Sequence, residues 1–130
     1  MSKKTEEIAA VENAVSQMLE TGRVDTDQIE RWKKEHKVKS IKEVACRISE
    51  NETAYIYLKE PNRDVVILAM SSPKDNANRA EKALKTGIVV LNNCLIGGDE
   101  RVHTDDMFYN SAVVEASAMI EFYETTSKNL

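Results

Sequence analysis

The stretch Val44-Ala45-Cys46-Arg47-Ile48-Ser49-Glu50-Asn51-Glu52-Thr53-Ala54-Tyr55-Ile56-Tyr57-Leu58 decides the fold class. Val44, Cys46 and Ile48 alternate with Glu43, Ala45 and Arg47, which is the period of a half-buried strand. Ser49 to Thr53 is turn-like, and Ala54 to Leu58 is rich in β-formers, so the stretch predicts a β-hairpin. Two strands alone are marginal in water, so helices must cover one face.

The flanking sequence supplies helices. Thr5 is a cap candidate, with Glu6 and Glu7 in the first turn and Gly22 as a stop. Ile8, Val11, Val15, Met18 and Leu19 keep a 3.6-residue period between them, which predicts a helix over 5–21. Asp25-Thr26 opens a short second helix through Ile29, Trp32 and His36. Beyond the hairpin, Pro61 opens the apolar run Val65 to Met70, and Ser72-Pro73 closes it. Periodicity alone leaves helix and buried strand open there; the proline followed by polar residues favours helix.

The next segment, about 75–94, places Ala77, Ala80, Ala83, Leu84, Gly87, Ile88, Leu91, Cys94 and the following Leu95 on one side of a helical wheel. Ala80, Ala83 and Gly87 form a flat stripe for close backbone approach, and Gly97-Gly98 read as the helix stop. Thr104 reads as the N-cap of a last helix running to about Thr125. Phe108, Tyr109, Ala112, Val113, Ala116, Met119, Ile120 and Tyr123 form its main apolar arc. A second line, Met107, Val114, Ala118 and Phe122, lies across from it. One core-facing stripe needs only the first arc, so the second requires burial elsewhere or a partner.

The expected architecture is therefore α+β and mostly α, a β-hairpin packed against the C-terminal helices, with an N-terminal helical pair. Residues 1–36 read as an N-terminal helical extension of a core spanning 37–130, the two forming one unit. Length agrees: 130 residues suit one modest core. With 42% apolar and 31% charged residues, the chain has enough apolar content to fold and a well-solvated surface. No apolar stretch is long enough to cross a bilayer. Met1 to Glu7 lacks the apolar region of a secretory signal, which predicts a cytoplasmic protein. Cys46 and Cys94 then read as reduced, buried small hydrophobes.

Charge and motifs narrow the function classes. Between Ile29 and Arg47 seven basic residues face three acidic ones, a local +4 in a chain of net charge −4. Such a strip meets phosphates in some proteins. Here it comes without a helix-turn-helix, an RNA-binding aromatic pair or a glycine-rich loop, and a solvated surface explains it. His103 lies among Asp99, Glu100, Asp105 and Asp106, but the Asp-x-Asp-x-Asp-Gly order of a calcium loop is missing, and helix punctuation accounts for these residues. No nucleophile elbow or phosphate loop occurs, so no catalytic residue, metal site or cofactor is expected. Trp32, Tyr55 and Tyr57 read as core or cross-strand aromatics.

Three segments carry a family resemblance: Tyr57 to Arg63 with Ala69-Met70-Ser71; Leu91-Asn92-Asn93-Cys94-Leu95-Ile96-Gly97-Gly98-Asp99-Glu100; and Thr104 to Phe108. Together they resemble small tail assembly chaperones encoded in the tail gene clusters of phages and prophages of Bacteroides-type bacteria. Leu95 departs from the family's pattern, which has tryptophan there, and the segment 5–21 has no counterpart in it. The resemblance implies a non-enzymatic protein of the bacterial host cytoplasm that coats a helical tape-measure protein before the tail tube polymerises. It also implies a tape-measure or tail-tube protein as partner, with a homo-oligomer as a further option. The surface expected to serve is Met107, Val114, Ala118 and Phe122. Alternative roles are a structural virion component, such as a connector or tube-associated subunit, and a nucleic-acid-associated regulator.

Overall fold

The structure is a computed structural model, and it describes residues 18–71, 73, 76–120 and 125–130. The architecture is α+β and mostly helical. The elements are β1 (Leu19–Thr21), α1 (Thr26–His36), β2 (Ile41–Ser49), β3 (Glu52–Lys59), α2 (Arg63–Ser71), α3 (Arg79–Cys94), β4 (Leu95–Gly98), a short 3-10 turn (Glu100–His103) and α4 (Asp106–Ser117).

The expected hairpin forms the centre of the sheet. β2 and β3 pair antiparallel from Ile41↔Lys59 to Arg47↔Thr53, and an irregularity before Ser49 shifts the register. The connection is tighter than the five-residue cluster suggested, because β3 already starts at Glu52. The other edge of β3 is shared by two short strands. β1 runs parallel along Glu52 to Ala54, and β4 runs antiparallel along Ile56 to Leu58.

Two sequence expectations are corrected here. Leu19–Thr21 is a strand rather than the end of a helix over 5–21, and residues 5–17 of that proposed helix lie outside the described residues. Gly97-Gly98 belong to β4 and do not stop a helix; α3 already ends at Cys94, with Leu95 extended. Hydrogen-bonding to β3 rewards extended backbone at both places, which local pattern cannot reveal. Gly98 has φ +116°, and a Cβ there would run into the Tyr55 carbonyl and the Ile56 backbone, so glycine is required.

The pleat sorts side chains onto two faces. Val44, Ala54, Ile56 and Leu58 enter the main core with Val65, Ala69, Val90, Leu91, Cys94, Phe108 and Val113. Helices α2, α3 and α4 supply that side. On the other face Tyr57 is fully buried, its ring 5.5 Å from Trp32 of α1. The Trp32 ring also lies against Gly97, with no room for a Cβ. These contacts, together with the β1–β3 pairing, tie residues 19–36 to the sheet. Trp32, Tyr55 and Tyr57 are thus packing residues in this fold.

Capping side chains build the helix starts. The Asp25 side chain accepts from the Gln28 N–H at 2.9 Å, and Asn62 accepts from the Val65 N–H at 2.9 Å to open α2. The run after Pro61 is therefore helical. Asn78 caps α3. At α4 the cap is Asp105, one residue after the expected Thr104, accepting from the Phe108 N–H at 3.1 Å. Gly87 is the part of the small-residue stripe that meets another element: α4 passes so close that a Cβ would strike the Val113 carbonyl. Ala80 and Ala83 are exposed. Cys46 and Cys94 are free thiols, and burial pushes the Cys94 thiol up. Among the described residues no helix is long and apolar enough to cross a membrane.

Candidate docking surface on the last helix

Helix α4 spans Asp106–Ser117, with Ala118 as its C-cap. It is shorter than the expected run to Thr125. Residues 121–124 lie outside the described residues, so Phe122 and Tyr123 receive no placement. Phe108, Ala112, Val113 and Ala116 are buried, and Tyr109, Met119 and Ile120 pack at the core margin. The main apolar arc therefore faces inward.

The second line turns outward. Met107 is 82% exposed and Val114 57%, and Ala118 is also exposed. Their spacing of seven and then four residues puts them on one helix face, opposite the buried one. Between them two serines bond back to the helix backbone. Ser111 donates to the Met107 carbonyl at 2.9 Å and Ser117 to the Val114 carbonyl at 2.7 Å. On its flank α4 is tied to β2 by Lys42, whose ammonium lies 3.4 Å from the Glu115 carboxylate.

Sequence reasoning missed a second exposed apolar group. Ile67, Leu68 and Met70 of α2 and Leu84 of α3 all face solvent. The available signal was the all-round apolar character of residues 65–70. A nine-residue helix that buries only Val65 and Ala69 leaves Ile67, Leu68 and Met70 outside.

In the acidic region around His103, Asp99 and Asp105 cap the 3-10 turn and α4 as helix punctuation, and Asp99 also joins an ion-pair cluster. Asp99 is buried and accepts from both the Arg101 backbone N–H and its guanidinium, the latter as close as 2.6 Å. Arg101 also pairs with Glu52, and Thr21 donates to the same Glu52 oxygen at 2.8 Å. The Arg101 guanidinium holds both carboxyls below their usual range, with the Thr21 hydroxyl assisting at Glu52. Arg101 itself is raised further, first by Asp99 and then by Glu52. This cluster clamps β1, β3 and the 3-10 turn together. Beside it lies a shallow depression of about 240 Å³ lined by residues including Leu95, Gly98, Glu100 and His103. Among the described residues no group of three or more His, Cys, Asp or Glu is placed to hold a metal ion.

The basic strip is divided between elements. Arg31, Lys33 and Lys34 belong to α1, where Lys33 sits 3.4 Å from Glu30 and Arg31 donates to Gln28. Lys42 reaches α4, and Arg47 donates to the Glu50 carbonyl at 3.0 Å. Lys33, Lys34 and His36 occupy the last turn of α1, where the helix dipole favours cations. Comparison of the chain with family models, with curated proteins and with solved structures returns no match.

Proposed function

We propose that this chain is a non-enzymatic phage tail morphogenesis protein, a tail assembly chaperone working in the bacterial host cytoplasm that holds the tape-measure protein through the outward face of α4. The observation that carries the reading is the row Met107, Val114, Ala118. It leaves apolar side chains in water on a helix whose opposite face already completes the core. An uncovered apolar row of this kind costs solvation free energy and is recovered by docking.

The row suits a helical client. Apolar positions spaced along one helix face match the anchor spacing of a second helix laid against it. Methionine at its most exposed point is unbranched and adaptable, which suits repeated engagement of similar but non-identical segments. Val114 adds a stiff β-branched contact one helical turn before Ala118. The resemblance of Leu91 to Glu100 and of Thr104 to Phe108 to tail chaperones supports the choice of client. Along the chain the first segment precedes α4 and the second contains its start.

The experiment is co-expression with a tape-measure protein from the phage tail gene cluster in which this reading expects the gene to lie. The reading expects the long helical protein to stay in the soluble fraction only when this chain is present, and expects this chain to be absent from finished particles. Stoichiometric recovery in purified particles would instead favour a connector or tube-associated subunit. A client equally soluble without this chain removes the chaperone reading.

A further inference from the structure

Strand β2 is paired with β3 along one edge and, among the described residues, with nothing along the other. The phase of that free edge follows from one bond. The Glu60 N–H donates to the Ser40 carbonyl at 3.3 Å, in the same register as Ile41↔Lys59. Antiparallel pairs alternate between bonded and non-bonded, so Ser40, Lys42, Val44 and Cys46 turn their backbone groups toward β3. Ile41, Glu43, Ala45 and Arg47 therefore turn theirs outward. The side chains of Glu43, Ala45 and Arg47 are exposed as well. An edge of this length, with its donors and acceptors unpaired, is a template for another strand.

We propose that β2 pairs antiparallel with β2 of a second copy of this chain, about a two-fold axis at Ala45, joining the two sheets into one. Charge selects both the occupant and the register. An isologous antiparallel pair must be self-complementary. Centring on Glu43 or Arg47 places like charges opposite each other. Centring on Val44 or Cys46 leaves Glu43 and Arg47 facing uncharged residues. Centring on Ala45 sets Glu43 against Arg47 of the other copy, twice by symmetry. The same register brings Val44 against Cys46 on the core side and the two small Ala45 residues together. It also makes Glu43, Ala45 and Arg47 the hydrogen-bonded pairs, as their outward backbone groups require. The inference is independent of the α4 row, which lies on a helix rather than on the sheet edge.

Sedimentation velocity on the full chain, across a concentration series into the high micromolar range, tests it. The expectation is a reversible monomer–dimer equilibrium. Arg47→Glu turns both cross-copy ion pairs into repulsions and should weaken the dimer about tenfold or more. Adding Glu43→Arg to that variant should restore it. Ala45→Pro removes an N–H that β3 does not use, which edge strands tolerate, and should leave a folded monomer. Met107→Ser should leave the dimer intact. A wild-type chain that stays monomeric throughout overturns the proposal. So does a dimer indifferent to Arg47→Glu, one not restored by the reciprocal change, or one abolished by Met107→Ser. If Ala45→Pro fails to fold by circular dichroism, the charge-swap pair decides alone.

Discussion

Arg101 touches Asp99 two residues away and Glu52 on a different strand, and only the first of these contacts has a trace in the sequence. The acidic character of residues 99–106 was readable as punctuation, and Asp99 and Asp105 do cap turns. Nothing local links Arg101 to Glu52, because that contact exists only once β1 and β4 share an edge of β3. The two carboxyls lie below their ordinary range in the fold, so the unfolded chain binds more protons in the acid window. Their contribution is fully present above the ordinary carboxylate range and is lost as pH falls through the depressed values. Thermal melts taken from neutral to strongly acid pH should show that loss. Arg101→Met should melt lower at neutral pH and lose less on acidification, since the cation responsible is gone. Tyr57 makes a second case. Its hydroxyl accepts from the Val24 N–H and donates to Glu43, both at 3.0 Å, and burial raises its pKa. Tyr57→Phe should cost about 0.5–1.5 kcal/mol in urea unfolding, the usual worth of such a bond.

At the level of elements, legibility tracked how local the cause was. α1 and α2 followed from Asp25-Thr26 and from Pro61 with the polar residues after it, because such start signals act within the helix's own first turn. The hairpin followed from alternation. β1 and β4 did not, since Leu19–Thr21 continues a helix-like pattern and Leu95-Ile96 is compatible with a longer α3. Each is extended because β3 offers hydrogen bonds, a cause lying about thirty residues or more away in the chain. The close crossing of α3 and α4 was legible in part: Gly87 meets Val113, while Ala80 and Ala83 do not take part. Gly87→Ala should therefore destabilise by about 1–3 kcal/mol through overpacking, although alanine is the better helix former. The outward row of α4 carries the opposite expectation. Met107→Ser and Val114→Ser remove no buried contact, so each should change unfolding free energy by no more than about 0.5 kcal/mol.

For the molecule as a whole, the sheet separates two tasks. One face and three helices make the core, while α1 closes the other face over Tyr57 through Trp32. This division leaves the far side of α4 free of structural duty, which is why its apolar side chains can be assigned to a partner. Part of that assignment was visible beforehand, because a helix with two apolar lines cannot hide both in a small domain; Phe122, the fourth residue of the line, lies outside the described residues. The most direct test is calorimetric titration of the wild-type chain and the Met107→Ser/Val114→Ser variant with an amphipathic helical segment of the tape-measure protein. The account predicts wild-type binding with a negative heat-capacity change, the mark of apolar burial, and binding at least about tenfold weaker for a variant with an unchanged melting curve. Equal affinity of the two proteins for that segment would contradict it.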